Sequence, residues 1–351
     1  MPDNTIIPLN NSSTIVPPGN LTFTNSTAVE PPWVVYKNAQ LIWYVVSMII
    51  SAASAAANLL LVLVVATNRF LRTSSGLLIG HLAAMECLIT TLGMPIHMTV
   101  TFIKQYNLSP DGCAGTQFFL AVTYTVSDWT LLFLALNRFV IIFFPHAHRT
   151  LSSKKALATG ITMIWTLAIC LNTPFTFDVS NRFMLAPPWY SCVLAPPLND
   201  GYDFRVLHLM TAVYLPLAIV GSLYLAIVIQ SAILFAAKRI APVPDGRTVP
   251  SGGKNEEEQT RAAQAKKIKQ KQRLVVIRVL FASWAVYCMC YFSNTIIANF
   301  NPTLISRSPV LQLWTRTAYV VGYIIHPLFL FCFSRGHLHG LKALLRRCRR
   351  Q

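Results

Sequence analysis

Seven stretches of this chain are long and nearly free of charge, and short polar or basic segments separate them: Leu41–Thr67, Ser74–Met98, Cys113–Leu136, Ala156–Phe177, Val206–Ala237, Leu274–Ala298 and Pro309–Ser334. The first runs 27 residues without a charged side chain. About 20 predominantly apolar residues in a helix cross the hydrocarbon core of a bilayer, so each stretch is long enough. Strands that span lipid are about 10 residues long and alternate in polarity. These segments do neither. The pattern predicts an all-α membrane protein, a seven-transmembrane helix bundle. Beyond the last stretch, Leu338, Leu341, Leu344 and Leu345 recur at helical spacing, while Lys342, Arg346, Arg347, Arg349 and Arg350 fill the opposite face. Residues 335–351 therefore predict a short amphipathic helix lying on an anionic membrane surface.

Composition agrees: apolar residues make up 54% and charged residues 12% of the 351, against about 25% charged in soluble domains. A net charge of +17 would also suit a nucleic-acid binder, but its distribution argues against one. Of the 29 Lys and Arg, 23 fall in alternate connecting segments and six in the others. The sparse set is Lys37, Lys104, Arg182, Arg205, Arg307 and Arg316. The positive-inside rule then puts the N-terminus outside and the C-terminus in the cytoplasm, as an odd number of crossings requires. Residues 1–40 form a polar, Pro-rich extracellular segment, 41–334 the membrane domain, and 335–351 a cytoplasmic basic tail.

The outer segment carries four glycosylation acceptors, Asn10, Asn11, Asn20 and Asn25, which need the luminal side; a fifth, Asn107, is followed by Pro110 and is weaker. No basic, then apolar leader precedes it, so the first span is expected to direct insertion. The long third cytoplasmic loop, about 238–273, opens with Pro242, Pro244, Pro250, Gly252 and Gly253 and closes with a basic run from Lys266 to Arg273. Its first half is expected to be unstructured and its second to extend the sixth span as helix. There is no internal repeat and no soluble domain.

By this topology only Cys113 and Cys192 of the eight cysteines lie outside, where oxidising conditions favour a disulfide. The others fall in spans or cytoplasm and read as small apolar residues. Cys288 and Cys290 have the wrong spacing for a metal, and no metal site is expected. Cys348, inside the basic amphipathic tail, is a candidate for palmitoylation.

Single marker residues then fall into place. They are Asn58 in the first span and Glu86 within Leu82–Leu88 of the second. The third carries Asn137-Arg138-Phe139, with Arg138 25 positions after Cys113. Trp165 and Pro174 mark the fourth, Pro216 and Tyr224 the fifth, and His326-Pro327-Leu328-Phe329-Leu330 the seventh. In this order and spacing they resemble the rhodopsin-like (class A) G-protein-coupled receptors, from about Trp43 to Cys348. The departures make this a divergent member of unassigned subfamily. Asn137 replaces the acid before the arginine, His326 the asparagine before the last proline, and Leu330 the tyrosine after it. With Phe281 aligned to the family's phenylalanine, Ala285 and Tyr287 stand where its tryptophan and proline belong, and Trp284 is one position early.

The resemblance implies a receptor that passes binding of an unidentified extracellular ligand to a cytoplasmic heterotrimeric G protein, with no catalytic role. It puts Asn137, Arg138, Phe139 and Tyr224 at the coupling surface; Arg138 would meet the G-protein tail when the sixth helix swings out. Without the neighbouring carboxylate, the inactive state is expected to be less firmly latched. Glu86 and Asp128 are ionisable groups at membrane depth, which are costly and usually functional. A polar pocket of Asn58, Glu86, Ser127, Asp128 and His326 is expected, holding water and a sodium ion by analogy with relatives, although Asp128 lies a hundred degrees round the helix from Ser127. The competing reading is that both acids are neutral and simply hydrogen-bonded.

A ligand cavity of Leu120, Tyr124, Tyr287, Tyr291 and Arg316 is the corresponding expectation. Leu120 in place of an aspartate disfavours amines, Val320 in place of a lysine disfavours an opsin, and Arg316 would suit an anionic group. The segment from Asn181 through Trp189 to Cys192 resembles hairpins of both opsin and prostanoid receptors. Two alternatives remain: a receptor-like protein that does not couple, and a transporter, which would show internal repeats or paired broken helices.

Overall fold

The computed structural model describes residues 32–103, 109–144, 146–147, 150, 152–176, 183–186, 189, 191–194, 204–240, 275, 277–293, 296–297, 304 and 308–349. The acceptors Asn10, Asn11, Asn20 and Asn25, and nearly all of the third loop, lie outside the described residues. The chain forms α1 (Lys37–Thr67), α2 (Ser74–Phe102), α3 (Pro110–Phe143), α4 (Lys154–Thr176), a hairpin of β1 (Phe183–Ala186) and β2 (Ser191–Leu194), then α5. α5 runs from Phe204–His208 through a π segment, Leu209–Tyr214, into Leu215–Ile240. α6 (Ile277–Ser293), α7 (Pro309–Phe333) and α8 (Arg335–Cys348) follow. Six of these are long and apolar enough to cross a membrane, and the described part of α6 is a shorter apolar helix.

Helix ends are set by local chemistry. Ser109 caps α3 by accepting the Gly112 amide, and Pro110, which has no amide proton to leave unsatisfied, opens it. Thr73 accepts from Gly76 at the start of α2, and Ser153 from Ala156 before α4. At the end of α1, the Arg72 guanidinium reaches back to the Ala66 carbonyl, with Nε at 2.9 Å, satisfying an acceptor that the helix leaves open. The helices extend past the apolar runs that predicted them: α1 starts four residues early, and α3 continues to Phe143, because polar residues at the membrane boundary still complete the backbone ladder.

α3 is central, packed on α2, α4 and α5, while α1 packs on α2, α7 and α8. In lipid there is no hydrophobic drive between helices, so close approach and hydrogen bonds hold them together. α1 shows the consequence: its buried stripe is Gln40, Trp43, Ser47, Ser51, Ser54, Ala55 and Asn58, whereas Leu41, Ile42, Val45, Ile49 and Leu59 are exposed. Trp43 and Ser47 both hydrogen-bond the Thr317 hydroxyl of α7, at 2.9 and 2.6 Å, and Gln40 donates to the Thr101 carbonyl of α2.

In α2, α5 and α7 the prolines inside the helix sit where the ladder is already broken or repaired. Pro95 follows the π segment Ile89–Gly93, and Pro216 follows Leu209–Tyr214 at the same offset. Ser51 donates to the carbonyl of Thr90 at 2.7 Å. Pro327 has no N–H for the carbonyl of Tyr323, one turn back, and the Asn58 amide donates there at 3.1 Å instead. Asn58 is thereby placed across from the α7 kink.

α6 has no proline among its described residues. Trp284 stacks on Phe281, ring centroids 5.7 Å apart, and lies against Gly221 of α5, where an added Cβ would stand 2.5 Å from the indole. A rigid ring gives way poorly, so Gly221→Ala is expected to cost about 1–3 kcal/mol and lower the melting midpoint by several degrees. Trp284→Leu in the same chain should recover most of the loss; purified protein in detergent, melted by intrinsic fluorescence or dye binding, provides the measurement.

Candidate functional site

At the hairpin end of the bundle, Cys113 in the first turn of α3 is disulfide-bonded to Cys192 of β2. The antiparallel hairpin pairs Phe183 with Leu194 and Ala186 with Ser191. Trp189, fully buried between its strands in sequence, donates its indole N–H to the carbonyl of Pro309 at the start of α7 (3.0 Å). The Gln117 amide on α3 donates to the Cys192 carbonyl (3.3 Å). The hairpin is thus fastened to α3 and α7. Beside it, His97 of α2 has Gln117 at 3.3 Å from Nδ1 and the Arg316 guanidinium at 3.4 Å from Nε2. Arg316, a member of the expected ligand set, therefore meets α2 and α3 through a histidine that the sequence did not single out.

Further in, aromatic rings form a continuous set. Tyr124 stacks on Tyr323 (6.1 Å between centroids); Tyr323 meets Tyr287 (5.7 Å), Tyr287 meets Tyr291 (5.9 Å), and Tyr291 meets Tyr319 edge-on (5.1 Å). Tyr124, Tyr287 and Tyr291, chosen from sequence, do come together, and α7 adds Tyr319 and Tyr323. Leu120 is buried against Gly93 of the α2 π segment. Tyr319, Tyr323, His326 and Leu330 lie on one face of α7 at helical spacing, a stripe that periodicity would have found. Tyr287 fits because Gly322 stands opposite, where a Cβ would come within 3.1 Å of its ring.

Asp128 and Glu86 are both buried, but each has its own partner. The Tyr287 hydroxyl donates to Asp128 Oδ1 at 3.2 Å. His326 Nδ1 lies 2.8 Å from Glu86 Oε1, with the two side chains 4% and 1% exposed. A small cavity of about 10 Å³ adjoins that pair, lined by Leu61, Ile79, Leu82, Ala83, Leu280 and Leu330 together with Glu86 and His326. Asn58, Ser127 and Asp128 do not line it, so the single five-residue pocket expected from sequence is divided. The Asn58 amide is turned to the Ser54 and Tyr323 carbonyls, and Asp128 faces Tyr287. A pattern along one helix gives the side that faces inward; it does not give the depth or partner across the bundle.

A sodium ion fits this arrangement poorly. Hard cations take several oxygen ligands, and the cavity supplies Glu86 oxygens, one imidazole and hydrocarbon. Its size is at the lower limit for one water. Among the described residues, no group of three His, Cys, Asp or Glu side chains is placed to hold a metal.

At the opposite end, Asn137 is buried and bridges two elements: Ser75 of α2 donates to its carbonyl oxygen (2.6 Å), and its amide donates to Ser152 (3.3 Å). Arg138 lies within electrostatic reach of Tyr224 on α5 and His337 on α8. Phe139 stacks on Phe143 at 4.3 Å. α8 approaches α1 closely at Gly340, where a Cβ would stand 2.8 Å from Val64. Its basic face carries exposed Lys342, Arg346, Arg347 and Arg349; the side chain of Cys348 lies outside the described ones.

With this geometry in view, the 7 transmembrane receptor (rhodopsin family) profile matches residues 57–329. The chain belongs to that family and is a multi-pass membrane protein. It is 25% identical over 226 residues to melatonin receptor type 1A of Gallus gallus, covering 64% of this chain and 61% of that protein. To the allatostatin-A receptor of Bombyx mori it is 27% identical over 169 residues, 47% and 46% of the two chains. To the pineal opsin of Petromyzon marinus it is 25% identical over 299 residues, 81% and 61%. The chain thus spans about half to three fifths of these relatives.

Burial, and then the charge of Arg138, push the His337 imidazole down to about 4. The folded state holds it neutral, whereas the unfolded chain binds a proton near the usual value of about 6.5. Its contribution to stability is therefore complete above about 6.5 and drains away as pH falls towards 4, by on the order of 3 kcal/mol at most. The melting midpoint should fall between about pH 7 and about pH 5, and less steeply in His337→Gln. Equal slopes in the two proteins would contradict the burial of a neutral imidazole there.

Proposed function

We propose that this chain is a G-protein-coupled receptor of the plasma membrane, with the hairpin end outside the cell and the Arg138 end in the cytoplasm. It converts binding of an extracellular ligand into nucleotide exchange on a heterotrimeric G protein and is not itself an enzyme. The observation that carries the reading is Arg138 at the end of the central helix, beside Tyr224 and His337, on the side where 23 of the 29 basic residues fall. A cationic rim favours the cytoplasmic leaflet, and a disulfide favours the oxidising face. Asn10, Asn11, Asn20 and Asn25 are the glycosylation sites of this reading, and Cys348 its palmitoylation site.

The ligand enters above the tyrosine set. Leu120 offers a cationic amine no counter-charge, and α7 contains no lysine for a retinal Schiff base. Arg316, with His97 and Gln117, presents donors suited to an anionic or carbonyl group. The relatives' own names range from melatonin to allatostatin-A and opsin, so they do not choose among ligands.

Screening the expressed chain against chimeric G proteins tests the reading, with Arg138→Ala as the control. Coupling should appear and fall at least about tenfold in the variant, a loss of about 1.4 kcal/mol. A second reading, a receptor-shaped protein that binds without coupling, draws support from Trp284 lying on Gly221 and from the missing α6 proline; silence across all G-protein classes would favour it. Asn137 engages Ser75 and Ser152 and supplies no negative charge to Arg138. Asn137→Asp should therefore lower basal second-messenger output severalfold; an unchanged or higher output would show that the arginine is not underlatched.

A further inference from the structure

Glu86 is the only acid on α2, and His326 on α7 stands against it, 2.8 Å from Nδ1 to Oε1. We infer that His326 does at Glu86 what a bound metal cation would otherwise do, so that the core of this receptor holds a shared proton and does not take up sodium. The pair carries one proton between its two groups. Whether as imidazolium with carboxylate or imidazole with carboxylic acid, it is neutral overall. No net charge is left to draw a monovalent ion out of water, and ion desolvation is expensive at this depth.

The surroundings point the same way. Around the pair are six hydrocarbon side chains, and the cavity has room for about one water-sized sphere. Ser54, Asn58 and Asp128 do not line that cavity, although Ser54 Oγ, Asn58 Oδ1 and Asp128 Oδ2 are buried without a hydrogen-bond partner among the described residues. Asn58 turns its amide to backbone carbonyls of α1 and α7, and Asp128 accepts from Tyr287. Glu86 Oε2 makes no hydrogen bond among the described residues, and the adjoining cavity has room for about one water.

Other titratable groups face the pair from each packed element. α3 contributes Asp128, within electrostatic reach of Glu86. α6 contributes Tyr287, its ring 6.0 Å from that of His326. α7 itself adds Tyr323, which reaches this region through Tyr287, its ring 5.7 Å from that one. α1 lines the cavity with Leu61, and its buried polar residues Ser54 and Asn58 do not titrate. None of these is a cation, so His326 is the sole positive partner available to Glu86 among the described residues here.

The inference does not rest on G-protein coupling, and its test reads folding stability. Purified full-length receptor is melted in sodium chloride and in choline chloride at equal concentration, about 0.15 M. The wild-type midpoint should be the same in both salts. His326→Asn, which removes the internal counter-charge and adds an amide oxygen, should melt higher in sodium by roughly 2–4 °C. That gain should vanish in the Glu86→Gln, His326→Asn double variant. A wild-type midpoint raised by sodium and returned to the choline value by Glu86→Gln would overturn the inference. So would a folded His326→Asn protein indifferent to sodium, since histidine would then not be what excludes the ion. Should His326→Asn fail to fold, the wild-type comparison with Glu86→Gln still decides.

Discussion

Inside a bilayer there is no water to take up a stray backbone carbonyl or an unpaired charge, and this one constraint organises the molecule. A helix satisfies its own ladder except where a proline removes a donor. This chain has prolines inside α2, α4, α5 and α7. In α2 and α5 a π segment immediately precedes the proline. In α7, Asn58 supplies the missing donor from another helix, 265 positions away in the chain. The hydrogen bond that repairs the backbone is also the one that fixes α1 to α7.

The same rule governs the charged groups. Glu86 meets His326, Asp128 meets Tyr287, and Arg138 lies beside Tyr224 and His337, each pairing a residue with one on another helix. Because each partner sits on a different element, helix positions and polar chemistry are interdependent: moving α6 changes the surroundings of Asp128, and moving α7 those of Glu86. Two of the departures from the family pattern fall on these contacts. Tyr287 at the proline position reaches Asp128, and His326 at the asparagine position reaches Glu86. Read together, the two departures form a compensated set, in which histidine and tyrosine supply partners for the two buried acids.

Much of this was legible beforehand. Apolar runs gave the helices of the bundle, since lipid demands about 20 consecutive apolar residues whatever the tertiary arrangement. The pairing of Cys113 with Cys192 followed from compartment alone. Tyr124, Tyr287 and Tyr291 were picked out as cavity residues and do share one ring set. Less was legible where the partner lies across the bundle. Asn58, Ser127 and Asp128 were grouped with Glu86 because all are polar and inward-facing, yet they do not line its cavity. His97, Gln117, Tyr319, Tyr323 and His337 carried no motif and became visible only through their neighbours.

The sequence by itself determined the number of helices, the basic rim and the order of marker residues, because these answer to a solvent that is the same for every membrane protein. Only the tertiary structure decided which oxygen faces which nitrogen: that Asn137 bridges Ser75 and Ser152, that Trp189 holds the hairpin to α7, and that Glu86 is matched by His326. Periodicity specifies the face of a helix within about a quarter turn. Rotation, depth and tilt against its neighbours set hydrogen-bond distances, and those arise only when all the helices pack at once.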